Sequence, residues 1–204
     1  MLANLYMNRF LKYWRITGRG EAYQAQVVNY ADDFVILSRR HAAEALNWTR
    51  RVMTRIGLTL NETKTSIKPA CQEQFDFLGY TFGPWRYRKT GSLYLGTSPS
   101  KKSVSRLRQK VGDLLMRSNV DPWPEVRDQL NAILRGWSSY FCCGSRYLQF
   151  RAVDQYVYDR VLHFLRRRCK VHSRGTTRFS YAAVFGELGV LRLRDVALRV
   201  ASVC

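Results

Sequence analysis

Long apolar runs, acidic residues and paired cysteines are scarce in this sequence of 204 residues. No apolar run approaches the roughly 20 residues of a membrane-spanning helix, and the start shows no secretory signal pattern. We therefore expect a cytoplasmic protein that does not bind membranes. The five cysteines lack the spacing of a disulfide framework or a zinc cage, which favours reduced thiols; they are Cys71, Cys142, Cys143, Cys169 and Cys204.

The shortage of acidic residues leaves a large positive charge. Fifteen Asp and Glu face thirty-four Lys and Arg, which gives a net charge of +19. Such a field attracts polyanions, and it favours nucleic acid as the partner. The basic excess is spread over the chain, with 14 basic and 7 acidic residues up to Ser100 and 20 and 8 after it. This spread argues against a single membrane-facing patch.

One acidic pair lies within a distinctive pattern. The apolar runs Val27–Val28 and Phe34–Leu37 flank a polar break, which predicts a tight hairpin with Asp32 and Asp33 at its tip. Adjacent carboxylates repel each other, and magnesium binds through one or two carboxylates together with substrate phosphates. The pair therefore suggests phosphoryl transfer at a metal site. The alternative is a solvated turn, because Asp is an ordinary turn residue.

The apolar pattern of the first half of the chain predicts both helices and strands. Apolar spacing predicts helices over Met1–Trp14 and Ala42–Ile56, the second ending at Gly57 and covering the back of the hairpin. Alternating large apolar residues predict one strand over Phe75–Phe82, and Trp85–Leu95 predicts another hairpin that turns near Thr90–Gly91.

Three amphipathic helices are predicted beyond Pro99–Ser100, and together they suggest a small bundle. The first has an apolar stripe from Val104 to Leu115, and at about 100° per residue its basic residues fall on the opposite face. The second begins near Asp121–Pro124, and the third begins near Arg146 and runs into the basic segment Arg166–Lys170. The last stretch, Val171–Cys204, is basic and mixes glycines with apolar residues, and its pattern assigns it to no particular helix or strand.

Six short blocks occur in the order found in group II intron reverse transcriptases, also called maturases, which this chain resembles over almost its whole length. They are Leu2–Tyr6, Tyr30–Asp33, Gly57–Asn61 with Lys64–Thr65, Phe77–Tyr80, Pro99–Lys102 and Arg135–Phe141. The resemblance implies an α+β fold, in which part of a reverse transcriptase palm, an antiparallel sheet with helices, precedes an all-helical thumb of three helices. It places the C-terminal part of the palm at 1–98, the thumb or maturase domain at 99–171, and a basic extension at 172–204.

The resemblance also implies roles for individual residues. Asp32 would be a direct ligand of catalytic Mg²⁺ and Asp33 its neighbour in the same acidic site, while Tyr30 and Ala31 would shape the hairpin beside the primer end. Lys64 would lie near the phosphates of the incoming nucleotide, although a solvated lysine is the alternative.

Two further groups of residues would contact nucleic acid. The block of Phe77, Leu78, Gly79 and Tyr80 would help to grip the primer, with a core position as an equal alternative, whereas we expect Trp137, Tyr140 and Phe141 to be packing residues. The thumb would hold the template–primer duplex and bind intron RNA. Its candidate RNA-binding residues are Lys101, Lys102, Arg106, Lys110, Arg166, Arg167, Arg168 and Lys170.

The chain departs from the family pattern in its carboxylates. Two-metal polymerisation needs carboxylates from two places, and in this family the other essential aspartate lies on an earlier palm strand. Here the only acidic residue before Asp32 is Glu21, which is too close to the hairpin to lie on such a strand. We therefore expect a fragment that lacks the fingers and the first catalytic aspartate, and that needs an N-terminal partner fragment or self-associates. The few His and Cys near the end predict no appended nuclease domain.

Two functions follow as expectations. The first is an RNA-directed DNA polymerase and intron-RNA-binding maturase, which would use deoxynucleoside triphosphates and bind RNA and DNA. The alternative is an RNA-binding splicing cofactor without polymerase activity. An inert remnant with exposed sheet edges is a third possibility.

Overall fold

The computed structural model describes residues 2–87 and 90–196. It combines helices with two small antiparallel sheets, which confirms the predicted α+β class. The chain divides into two compact units, Met1–Pro69 and Ala70–Cys204. No helix in the described ranges combines the length and the apolar character that a bilayer span requires.

The first unit packs helices against one hairpin. Its elements are α1 (Leu2–Ile16), α2 (Arg19–Ala22), β1 (Ala25–Tyr30), β2 (Asp33–Ser38) and α3 (Ala42–Arg55). Buried residues recur at helical spacing along α1 and α3, and they are Met7, Phe10, Trp14, Ala45, Trp48, Val52 and Met53. Gly57 follows α3 with φ of 80°, the left-handed conformation expected just after a helix. Both predicted helices and the hairpin are confirmed.

The back of the hairpin is covered as predicted. Phe10 of α1 is fully buried, and its ring centroid lies 5.5 Å from that of Phe34 on β2 and 5.9 Å from that of Trp48 on α3. Val27 and Ile36 pack against the same cluster. The strands therefore rest on a buried aromatic core, which fixes the base of the hairpin.

The second unit begins with a three-stranded sheet. Its strands β3 (Phe75–Phe77), β4 (Tyr80–Arg86) and β5 (Leu93–Pro99) pair antiparallel in the order β3-β4-β5. The β4–β5 hairpin confirms the predicted turn, with Gly91 N–H donating to the carbonyl of Tyr87 at 2.8 Å.

The prediction of one strand over Phe75–Phe82 is wrong, because a tight turn divides that run. Phe77 pairs with Tyr80, and the two loop residues, Leu78 and Gly79, have φ of 50° and 80°. Positive φ at both loop positions is the geometry that suits the twist of a two-residue hairpin. The apolar alternation continues across this turn and hides it.

The predicted three-helix bundle is confirmed. It consists of α4 (Lys101–Leu114), α5 (Trp123–Tyr140) and α6 (Tyr147–Arg168), and a short α7 (Tyr181–Phe185) follows. Their shared core consists mainly of buried Leu, Val and Phe side chains, among them Leu107, Val111, Val126, Leu130, Leu134, Phe150, Val157 and Val161. The sheet lies in the same compact unit as these helices. The palm–thumb boundary expected at 98/99 stays a prediction.

The segment that follows α6 packs into the same core. Phe179, Val184, Val190 and Leu193 are buried there. Residues 197–204, which include Cys204, lie outside the described residues.

Two buried polar side chains anchor this segment to the bundle. Asn131 on α5 accepts the N–H of Leu191 at 2.7 Å, and Asp154 on α6 accepts the N–H of Leu193 at 2.8 Å. Sequence reasoning missed both anchors. Each is a polar residue at an apolar position of its helix, which is the signal that could have identified it.

Candidate active site and nucleic-acid interface

The β1–β2 hairpin carries the candidate metal ligands at its tip. The strand ladder ends with Tyr30 opposite Asp33, so that only Ala31 and Asp32 form the loop. Asp33 is the first residue of β2, and Asp32 lies in the turn. Both aspartates and Tyr30 are exposed. The two carboxylates are therefore accessible to a ligand from solvent.

Ala31 has an unusual backbone conformation in this loop. Its φ is 54°, in the left-handed region that glycine adopts without steric cost. The two-residue loop requires a turn that matches the twist of the strands, and such turns commonly have positive φ at the first loop position. Ala31 thus sets the shape of the tip from which the aspartates project.

The aspartate pair fits the protein part of a magnesium site, but not a complete set of protein ligands. Magnesium is usually held by one or two carboxylates together with substrate phosphates and water. Asp32 and Asp33 meet that description. In the described part of the chain, no group of three or more His, Cys, Asp or Glu is placed to hold a metal ion.

Lys64 lies on the loop that follows α3. It is exposed, and its backbone N–H donates to the carbonyl of Asn61 at 3.0 Å. A salt bridge of 2.7 Å between Arg50 on α3 and Glu62 ties this loop to the helix. The position of Lys64 near a nucleotide phosphate stays a prediction, and so does the solvated alternative.

The block Phe77–Tyr80 is held by the helices of its own unit. The carbonyl of Gly79 accepts the N–H of Ser100 at 2.8 Å, just before α4. The carbonyl of Leu78 accepts the hydroxyl of Tyr140, the last residue of α5, at 2.8 Å. The turn is therefore clamped between the start of one helix and the end of another.

Close packing at Gly79 tightens this clamp. The hydroxyl of Ser103 donates to the carbonyl of Gly79 at 2.9 Å. A Cβ added to Gly79 would lie only 2.9 Å from the hydroxyl oxygen of Ser103. Only glycine meets both the positive φ and the close approach without strain.

Tyr80 and its aromatic neighbours pack together. The hydroxyl of Tyr80 donates to the carbonyl of Tyr140 at 2.7 Å, and its ring centroid lies 4.9 Å from that of Phe141. Burial raises the pKa of Tyr80. Phe141 is buried against Trp137. These contacts give Tyr80 a packing role, whereas a role for the turn in gripping a primer stays a prediction.

The cationic face of α4 is open to solvent. Lys101, Lys102, Arg106 and Lys110 are exposed, whereas Leu107 and Val111 on the opposite side of the helix are buried. None of the four cations forms an ion pair within the described ranges. Uncompensated cations along one helix face suit the phosphate backbone of a nucleic acid.

The basic run at the end of α6 divides into two groups. Arg168 donates to the carbonyl of Val120 at 2.8 Å, and its guanidinium lies over the ring of Phe164. Arg168 thus reaches the loop between α4 and α5.

The other basic residues at this end, Arg166, Arg167 and Lys170, line one cavity together with His163. Sequence reasoning did not identify His163. Its spacing of three and four residues from Arg166 and Arg167 on a helix is the signal that could have revealed it.

No disulfide links the cysteines that the structure describes, and their reduced state stays a prediction. Cys71, Cys143 and Cys169 are exposed and Cys142 is half-buried. Cys204 lies outside the described residues.

Comparison with known families identifies both parts of the chain. Residues 1–82 match the model of the reverse transcriptase (RNA-dependent DNA polymerase) family, and residues 104–181 match the group II intron maturase-specific domain. No curated protein matches the chain. The two matches occur in the order of the blocks described above, and they include the aspartate hairpin and all of the three-helix bundle except the first three residues of α4. The chain therefore belongs to the reverse transcriptase and maturase family of group II introns.

Proposed function

We propose that this chain supplies the aspartate hairpin and the RNA-holding helices of an RNA-directed DNA polymerase that also binds intron RNA as a maturase. The observation that carries the proposal is the exposed pair Asp32 and Asp33 on a hairpin whose base is packed on buried aromatic residues. A rigid base and an accessible tip suit a site that must hold a metal against two substrates.

The two aspartates would act as metal ligands. Reverse transcriptases typically use a divalent metal, and Mg²⁺ at this site would neutralise charge on the reacting phosphates and orient the primer hydroxyl. Asp32 would bind the ion directly and Asp33 would stabilise it from the adjacent position, with Tyr30 beside the primer end. Lys64 would bind phosphate oxygens of the incoming nucleotide.

We also propose that the remaining carboxylate comes from another polypeptide segment. Two-metal chemistry needs acidic ligands from more than one element, and the described residues bring no third acidic residue, His or Cys to the pair. A separate segment with the fingers and first half of the palm would complete the site.

Primer extension tests this proposal. The assay would measure Mg²⁺-dependent extension of a DNA primer on an RNA template by the 204-residue chain, alone and with a fingers-and-first-palm segment of a related enzyme. We expect extension by the completed assembly, and Asp32→Ala should lower it by more than about 100-fold because several kcal/mol of transition-state stabilisation are lost.

The matched control is Asp113→Ala, which removes an exposed carboxylate from α4. It should leave extension unchanged. If the completed assembly with Asp32→Ala extended primers as well as the parent assembly, the assignment of Asp32 as a metal ligand would be contradicted.

A second candidate function is RNA binding in splicing without polymerisation. It is supported by the exposed, unpaired cations of α4 and by the cations at the end of α6. Tighter binding of intron RNA than of a random duplex, together with no extension by the completed assembly, would favour this function over the first.

A further inference from the structure

A cationic cavity lies at the C-terminal end of α6. It has a volume of about 360 Å³ and is lined by His163, Arg166, Arg167, Lys170, Val171 and His172. Three of these side chains are Arg or Lys, two are imidazoles, and none is acidic. The volume lies within the range of about 300–1,000 Å³ that is usual for small-molecule sites. The lining therefore suits a phosphorylated ligand of about one nucleotide.

Lys170 occupies a backbone position that usually belongs to glycine. It follows the last turn of α6 with φ of 50°, and the N–H of Val171 donates to the carbonyl of Arg166 at 3.0 Å. This is the hydrogen bond of a helix-ending motif that favours glycine in the left-handed position. A lysine in this left-handed conformation has a strained backbone, and such strain is typical of functional sites.

The backbone orients the two arginines. Arg166 donates its Nε–H to the carbonyl of Val171 at 3.3 Å, and Arg167 donates its Nε–H to the carbonyl of His163 at 3.2 Å. Neither forms an ion pair in the part of the chain that the structure describes. Their terminal nitrogens can therefore donate to phosphate oxygens.

His163 has a defined tautomer when its ring is neutral. Its Nδ1 lies 2.6 Å from the carbonyl oxygen of Asp159. A carbonyl only accepts hydrogen bonds, so Nδ1 carries the proton and Nε2 is left as an acceptor. A ribose 2′-hydroxyl can donate to Nε2, and a deoxyribose cannot.

We propose that this cavity binds one ribonucleotide unit of RNA. Arg166, Arg167 and Lys170 bind its phosphate, and His163 accepts a hydrogen bond from its 2′-hydroxyl. The inference rests on the RNA binding proposed above and adds a defined subsite to it.

The histidines allow a direct test, because the chain contains three of them. His163 and His172 line the cavity, whereas His41 lies in the first unit and serves as an internal control. The experiment records the ring resonances of all three by NMR in the full chain during titration with the diribonucleotide ApA, its deoxy analogue and AMP. AMP distinguishes a site for free nucleotides from a site for RNA.

We expect the resonances of His163 and His172 to shift with one common midpoint while that of His41 stays in place. ApA should bind at least about three-fold more tightly than its deoxy analogue, because one hydrogen bond contributes roughly that factor in affinity. Equal titration midpoints for ApA and its deoxy analogue would overturn the ribose contact. Tighter binding of AMP than of ApA would overturn the assignment to RNA, and parallel shifts of all three histidines would overturn the site.

Lys170→Gly separates binding from folding. Glycine adopts the observed φ without strain, so the variant should have a higher Tm, while its affinity for ApA should fall by about five-fold through the loss of one charged phosphate contact. The control Arg117→Gln removes an exposed cation outside the cavity and should leave the midpoint unchanged.

Unchanged affinity in Lys170→Gly would overturn the proposal. A chain that extends primers or binds long RNA, but whose cavity histidines do not respond to ApA, would overturn the subsite alone and leave the proposed function in place.

Discussion

Ala31 stores backbone strain at the tip of the aspartate hairpin. A left-handed conformation costs a residue with a Cβ about 1–2 kcal/mol, and glycine avoids that cost but gains freedom in the unfolded chain. We expect Ala31→Gly to raise the free energy of unfolding of the first unit by about 0.5–1 kcal/mol. Urea unfolding followed by fluorescence of the buried Trp14 and Trp48 would measure it.

The control for this prediction is Ala43→Gly, at an exposed position in α3. It should lower the free energy of unfolding by about 1 kcal/mol, because glycine is unfavourable within a helix. Equal destabilisation by the two substitutions would contradict the role assigned to the φ of Ala31.

Asp154 gives the second unit a pH-dependent stability. Burial raises the pKa of Asp154 from 3.8 to about 6, and hydrogen bonds from the N–H groups of Leu193 and Arg194 offset only part of that effect. The folded state therefore holds this proton more tightly than the unfolded state. The stability that the protonated group contributes is complete below pH 3.8 and is lost as the pH rises through about 6.

The substitution Asp154→Asn should remove this pH dependence. We expect the parent chain to lose on the order of 2 kcal/mol of unfolding free energy between pH 4 and pH 6.5 relative to Asp154→Asn. Denaturant unfolding at the two pH values measures the difference. The exposed variant Asp113→Asn should keep the slope of the parent, and a slope that persists in Asp154→Asn would show that another group causes it.

At the scale of elements, α4 has a buried apolar face and an exposed cationic face. Lys102 and Arg106 are exposed on the face opposite the buried Leu107 and Val111. We expect Lys102→Glu combined with Arg106→Glu to weaken RNA binding. The negative slope of log affinity against log salt should become less steep by about 2, because about two phosphate contacts are lost. The Tm should stay within about 2 °C of the parent value. Filter binding over a range of salt concentrations measures the slope.

The matched control reverses two exposed cations of α1. Lys12→Glu combined with Arg15→Glu changes the charge by the same amount. It should have the smaller effect on RNA affinity. A loss of thermal stability comparable to that of a core substitution in the α4 variant would show that its charged face is not solvated.

The sequence predicted the elements whose signals are local. Amphipathic spacing located α3 to α6, and the aspartate tip followed from two apolar runs around a polar break. The Leu78–Gly79 turn was missed because its hydrogen-bond donors, Ser100 and Tyr140, lie at least 21 residues away in sequence. Leu78 itself gives no signal for positive φ.

The end of the chain and the cationic cavity were missed for the same reason. The segment after α6 is held by Asn131 and Asp154, which belong to helices far earlier in the sequence. The cavity joins residues of α6 with His172, which follows the helix after a reversal of the chain at Lys170. Helical periodicity ends at that reversal and therefore cannot relate the two sides.

At the scale of the whole molecule, the segment between α3 and β3 is the expected site of proteolysis. Residues 57–74 contain turns but no helix or strand, and Lys64 within them is exposed. Trypsin should cut first after Lys64, because Lys68 precedes Pro69 and a Lys-Pro bond resists the enzyme. Mass spectrometry should identify a fragment that begins at Thr65 and retains the folded second unit.

Removing this cleavage site provides the control. Lys64→Gln should delay appearance of the fragment without changing Tm. Early cleavage within α4 to α6 would contradict the division into two compact units.

The clamp on the Leu78–Gly79 turn limits how genes of this family can exchange segments. Recombination near codon 70 would transfer the carbonyls of Leu78 and Gly79 together with their donors, Ser100 and Tyr140. A crossover at codons 98/99 would combine the turn of one parent with the helices of another. Chimaeras formed there would retain the clamp only if both parents preserve its donors and its close packing.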